Sequence, residues 1–126
     1  RVDYTIFWRE LGTFSSDPTA KNERLREHFL NPERFDAWAG AYRDRLRSEQ
    51  SRDDERRVGM DRVNPKYVLR NYLAQGAIEK AQQKDYTEID RLLTLLHNPY
   101  VDQPGMDSYA AAPPNWGKHL SVSCSS

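Results

Sequence analysis

Three times in this chain an asparagine or aspartate stands directly before a proline: Asp17-Pro18, Asn31-Pro32 and Asn64-Pro65. Each pair couples a side chain able to cap a helix with a ring whose fixed φ suits a first helical turn, while the proline keeps the preceding residue out of helix. The chain must therefore turn corners between short helices, and one long rod is excluded. The third pair leads the most sharply patterned stretch, Asn64-Pro65-Lys66-Tyr67-Val68-Leu69-Arg70-Asn71-Tyr72-Leu73-Ala74-Gln75, with apolar residues at Val68, Leu69, Tyr72, Leu73 and Ile78. That spacing predicts a helix over about 65–83, with Gly76 costing about 1 kcal/mol against Ala.

The other elements follow from the same reasoning. Phe7, Leu11 and Phe14 share a face and predict a short helix over 3–14, with Gly12 as a break. Asp17-Pro18 predicts a helix through Leu30 that buries Leu25 and Phe29. Asn31-Pro32 opens an amphipathic helix carrying Phe35, Trp38, Ala39, Tyr42 and Leu46. Asp85 with Glu88 reads as a capping-box variant before an apolar stripe of Ile89, Leu92, Leu93 and Leu96, ended by Asn98-Pro99. The last two helices are expected to form a hairpin. Between Arg43 and Arg62 lie seven arginines and six acids, which reads as a solvated helical connection with exposed ion pairs.

Beyond Pro99 the periodicity stops, and four of the seven prolines fall between residues 99 and 114. This segment is expected to be extended or turn-rich, anchored by Tyr100 and Trp116. The fold class is all-α, with about five short helices and a Pro-rich extended C-terminal tail. The expected organisation is a single unit in which residues 1–98 form the helical part and residues 99–126 the tail ending in Cys124.

Composition excludes several function classes. Nineteen Lys plus Arg cancel nineteen Asp plus Glu, so broad phosphate neutralisation by a nucleic-acid binder, including a helix-turn-helix reader of DNA, is disfavoured. No apolar run approaches the roughly 20 residues of a membrane span, and no signal pattern opens the chain, which points to a cytoplasmic location. At 37% hydrophobic residues the chain is short of core material. Together with a start at Arg1, this leads us to expect a piece of a larger body whose apolar faces await a partner surface.

No phosphate-binding loop, clustered Cys/His set or catalytic serine motif is present. His28, His97 and His119 are scattered, and Asp53-Asp54 reads as a solvated face rather than a cation site, so no metal ligand is assigned. Arg70 and Asn71, inside the expected helix, are assigned structural roles, as are Asn64 and Pro65. Cys124, the single cysteine, stands in a small polar tail where a thiol is free to exchange. By position alone an inert tail cysteine is the default reading.

The block Val63-Asn64-Pro65-Lys66-Tyr67-Val68-Leu69-Arg70-Asn71-Tyr72-Leu73-Ala74 resembles the C-terminal region of the SelO family of protein adenylyltransferases. So do, in order, Asp85-Tyr86-Thr87-Glu88, Pro99-Tyr100, Gln103-Pro104-Gly105, Pro113-Pro114-Asn115-Trp116-Gly117-Lys118 and the closing Cys124-Ser125-Ser126. The resemblance covers about Met60 to Ser126, while residues 1–59 share only helical character. It implies an enzyme with a kinase-like fold that moves AMP from ATP to Ser, Thr or Tyr hydroxyls of target proteins with Mg²⁺ or Mn²⁺. It implies redox control through Cys124, whose slot is cysteine in bacterial members and selenocysteine in many eukaryotic ones. The implied partner of this region is an upstream kinase-like domain, and the implied catalytic and ATP-binding residues lie there, so none is assigned to this chain and no cofactor is expected to bind it alone. The alternative reading is an independent helical module that docks a protein partner without enzymatic role.

Overall fold

The structure, a computed structural model, describes residues 3–117. Among them are six α-helices and two short 3-10 turns, with no strand, in keeping with the all-α expectation. The helices are α1 (Tyr4–Leu11), α2 (Glu23–Arg26), α3 (Pro32–Ser48), α4 (Asp53–Val63), α5 (Asn71–Gln82) and α6 (Thr87–His97). The 3-10 turns span Asp107–Tyr109 and Asn115–Gly117. The chain divides between Pro65 and Lys66 into two compact units, whereas the sequence reading took one unit and set its internal line at residue 98. No helix among the described residues is long and apolar enough to cross a membrane.

In the first unit, Asp3 caps α1 by accepting the Ile6 amide at 3.1 Å. Asn31 caps α3 by accepting from the Glu33 amide at 3.0 Å, with Pro32 at the first helical position as expected. The core gathers Leu11 of α1, Leu25 of α2, and Phe35, Ala39 and Leu46 of α3 around Phe14, which belongs to no helix. Phe14, Leu25 and Phe35 are each only 1% exposed, worth about 1.5–3 kcal/mol apiece in burial alone. Rings surround Phe14: Tyr42 at 4.9 Å and Trp38 at 6.0 Å between centroids, these two stacked on each other at 5.0 Å.

The Asp17-Pro18 expectation is corrected. In place of a helix through Leu30, Asp17 Oδ1 accepts from both the amide (2.8 Å) and the hydroxyl (2.7 Å) of Thr19, a side-chain turn that competes with helix. Only four residues, Glu23–Arg26, are helical, entered through Asn22 in the left-handed region. Leu25 is nevertheless buried and Phe29 packs on the core.

The second unit is built on α5 and α6, which pack on each other across the connection at 83–86. The stretch expected to open the central helix is also corrected: Asn64-Pro65 terminates α4, and α5 begins only at Asn71. The reason is tertiary. The amides of Lys66 and Tyr67, which a helix would leave to solvent or a cap, both donate to the Pro99 carbonyl, at 2.9 and 3.3 Å. Tyr67 itself is driven into the core, 1% exposed, beside Ala77, Leu92 and Leu95 as the other buried apolar residues. On α6 the buried pair is thus Leu92 and Leu95, while Leu93 of the expected stripe is 64% exposed.

Two helix ends share one device. Gln50 (φ +55°) and Lys84 (φ +62°) stand just past α3 and α5 in the left-handed region. Ser51 and Asp85 then donate back to the carbonyls of Leu46 and Lys80, both at 2.9 Å, closing Schellman turns. Non-glycine residues bear a cost there. Replacing Lys84→Gly is expected to raise stability by about 0.5–1 kcal/mol, read as an increased urea midpoint with unchanged slope.

Candidate functional site

The densest polar constellation lies where segment 99–109 crosses the hairpin. Lys66 Nζ donates to Asp102 Oδ1 at 2.8 Å and to Asp107 Oδ1 at 2.9 Å, and sits 5.5 Å from the centre of the Tyr67 ring. The hydrogen bond to Asp102 raises the lysine's pKa above its ordinary value; burial opposes this, and Asp107 adds to it. Beneath the ammonium, Tyr67 Oη accepts the Gln103 amide at 3.0 Å, and Gln103 Nε2 donates to the carbonyls of Leu95 (2.9 Å) and Asn98 (3.0 Å). Gln103 therefore caps the C-terminal end of α6, satisfying carbonyls that lack helical partners.

A second node closes the same face. Tyr109 Oη donates to Glu88 Oε1 at 2.6 Å, and Arg91 Nη1 donates to Glu88 Oε2 at 2.9 Å and to Tyr109 Oη at 3.2 Å. Burial, and then the bond to Glu88, pushes the Tyr109 phenol up. Further along, Gly117 meets α5: a Cβ there would stand 2.7 Å from Tyr72 Cβ, so only glycine allows this approach. Trp116 sets its ring edge-on to Tyr72 at 5.9 Å. Tyr100 and Trp116, expected as anchors, are 42% and 67% exposed; Tyr67, Gln103 and Tyr109 hold the segment.

The magnitudes rank these contacts. Asp102 and Asp107 are largely solvent-exposed, so their ion pairs with Lys66 contribute roughly 0–1 kcal/mol each. Burial of Tyr67 is the larger effect, since deleting a buried aromatic costs about 3–5 kcal/mol.

In the first unit, Arg9 Nη1 donates to the carbonyls of Asp61 and Asn64, both at 3.0 Å, capping α4 with a positive group at the negative end of its dipole. Arg56 donates to the Phe14 carbonyl at 2.9 Å, to Ser51 Oγ at 3.0 Å, and to Asp53. Burial works against the Asp53 carboxylate, yet the Arg56 hydrogen bond and the Ser16 amide hold its pKa below the ordinary value. His28 Nε2 lies 2.6 Å from Glu10 Oε2, with Phe7 edge-on to the imidazole. A cleft of about 510 Å³ between residues 18–26 and α3 holds Lys21, Arg26, Asp36 and Arg43, and there Arg26 is occupied by a two-pronged contact to Asp36.

These arrangements cap, pair and pack; none aligns a nucleophile with a base and an oxyanion donor. Among the described residues no group of three or more His, Cys, Asp or Glu is gathered to hold a metal ion. Of the residues singled out in the sequence, Asn64 follows the end of α4 and lends its carbonyl to Arg9. Pro65 lies in the connection, Arg70 is the residue before α5, and Asn71 is the first residue of that helix rather than an interior one. His97 sits in the last turn of α6. Cys124 and His119 lie outside the described residues. Sequence reasoning missed Lys66, Gln103 and Tyr109, each of which has a partner 18 or more residues away: Asp107 for Lys66, Tyr67 for Gln103 and Arg91 for Tyr109.

Residues 1–97 match the family described as protein adenylyltransferase SelO. The chain belongs to the SelO family. A protein nucleotidyltransferase YdiU from Myxococcus xanthus is 55% identical over 99% of this chain and 26% of its own length. The proteins of the same name from Cupriavidus pinatubonensis and Herminiimonas arsenicoxydans are 53% and 52% identical, again over 99% of this chain and about a quarter of their own lengths. The SelO likeness therefore runs through residues 1–59 as well, which the motif reading had credited only with helical character. This SelO chain spans about a quarter of the length of the relatives it matches.

Two outcomes follow from the site. Tyr67→Phe keeps the ring but leaves the Gln103 amide without its acceptor, an expected loss of about 1–3 kcal/mol in urea unfolding. Asp53→Asn removes a carboxylate whose folded pKa is depressed. Its contribution is present above the ordinary value of 3.8 and is lost as pH falls through the folded value. The variant's deficit in melting temperature is thus expected at pH 7 and should shrink toward pH 3.

Proposed function

We propose that this chain is the helical C-terminal portion of a SelO-type protein adenylyltransferase. In this reading the whole protein transfers AMP from ATP to Ser, Thr or Tyr hydroxyls of other proteins with Mg²⁺ or Mn²⁺, in the cytoplasm. The acceptor oxygen attacks the α-phosphorus, the bond to the β-phosphate oxygen breaks, pyrophosphate leaves, and the hydroxyl proton passes to a base. Those groups belong to a kinase-like portion outside these residues. The role of this chain is to support that portion and to carry Cys124, whose thiol forms a disulfide with a cysteine elsewhere in the enzyme when a two-electron oxidant removes their hydrogens.

The observation that carries the reading is 55% identity, across 99% of the chain, to a protein nucleotidyltransferase about four times as long.

The test is to incubate the full-length protein with ATP labelled at the α-phosphate, Mg²⁺ or Mn²⁺, and an acceptor protein, beside the 126-residue chain alone. Label is expected on the acceptor with the full-length protein and not with the chain. Transfer of a γ-phosphate label instead, or of neither label, overturns the assignment and favours a helical interaction module. For the redox role, peroxide is expected to shift the full-length protein on a non-reducing gel. Cys124→Ser should abolish that shift.

A further inference from the structure

Helix α6 carries more apolar surface than the described residues of its own unit cover. Leu92 and Leu95 face the hairpin and are buried, and Glu88 on that side is engaged by Arg91, Tyr109 and, at 3.8 Å, Lys80. About 100° around the helix run Tyr86, Ile89, Leu93 and Leu96, spaced three and four apart as the a and d positions of a heptad are. Tyr86 is 55% and Leu93 64% exposed, and Ile89 and Leu96 are half-buried. Such a row is the surface a second helix packs against. The adjacent Asp90 carboxylate makes no ion pair among the described residues; its amide donates to the Tyr86 carbonyl and its own carbonyl accepts from Thr94.

We infer that the Tyr86–Ile89–Leu93–Leu96 seam is the docking site for an amphipathic helix from the part of the same polypeptide outside this chain, flanked by a Lys or Arg that meets Asp90. The inference rests on the reading of this chain as one portion of a longer enzyme. Three observations choose that occupant. The relatives extend over roughly three times as much additional chain, so a tethered partner is at hand. Four side chains, two already half-covered, offer only a few hundred Å², well under the roughly 800 Å² per side of a stable two-body interface. Tethering supplies the effective concentration that so small a seam lacks in free association. Finally, the unpaired Asp90 carboxylate beside the seam is complemented by a basic flank on the incoming helix.

The experiment places benzoylphenylalanine at Tyr86, close in shape to the residue it replaces, in the full-length protein and maps the photo-crosslink by mass spectrometry. A crosslink within a monomer to a peptide outside the 126 residues is expected. A crosslinked dimer, a crosslink confined to the 126 residues, or no crosslink overturns the inference. In parallel, Leu93→Cys in the full-length protein is expected to react with a maleimide at least about tenfold more slowly than Thr94→Cys on the same helix, the protection given by a closed seam. Equal rates overturn it. Neither readout depends on AMP transfer, so the docking inference and the enzymatic reading fail separately.

Discussion

Each unit of this protein is closed by an aromatic side chain that no helix supplies. Phe14 in the first and Tyr67 in the second are each 1% exposed, and both come from connecting segments. Short helices bury too little by themselves to be stable in water. An aromatic inserted between them contributes the largest single block of apolar burial. In both cases the backbone around the ring is pinned by hydrogen bonds as well: the Phe14 carbonyl accepts from Arg56, and the Tyr67 amide donates to Pro99. Connections that would otherwise fray are thereby part of the core.

The charged residues, numerous as they are, cap helix ends, as Arg9 does for α4, or pair across short distances, as Arg26 does with Asp36. Residues 99–117 are held along α5 and α6 by Gln103, Tyr109 and Gly117. They form a turn-rich strap rather than a loose tail. Apolar surface is left uncovered among the described residues, on α6 above all.

Legibility depended on whether the deciding partner was local. The Asn31-Pro32 start was readable because its bond, from the Glu33 amide, spans two residues. Asn64-Pro65 has nearly the same backbone before the proline: φ −109° and ψ 105°, against −113° and 99° at Asn31. It nonetheless ends a helix, because the next two amides are claimed by a carbonyl more than thirty residues away. Asp17-Pro18 failed for a local reason that propensity underrates, the capture of Thr19 by the aspartate side chain. On α6 the period was legible, but the stripe was wider than the hairpin could cover. Which part of it would be buried was decided by α5 and by Tyr67.

The order of residues by itself determined an all-helical chain, the corners at its Asx-Pro pairs, the cap of α3, and membership in the SelO family, because each rests on neighbours or on motif spacing. Tertiary structure alone decided that Tyr67 leaves the helical path, that Gln103 seals α6, and which flank of α6 stays bare. Those outcomes balance local helical preference against burial and long-range hydrogen bonds, and burying an aromatic ring outweighs the few tenths of a kcal/mol by which one more residue favours helix.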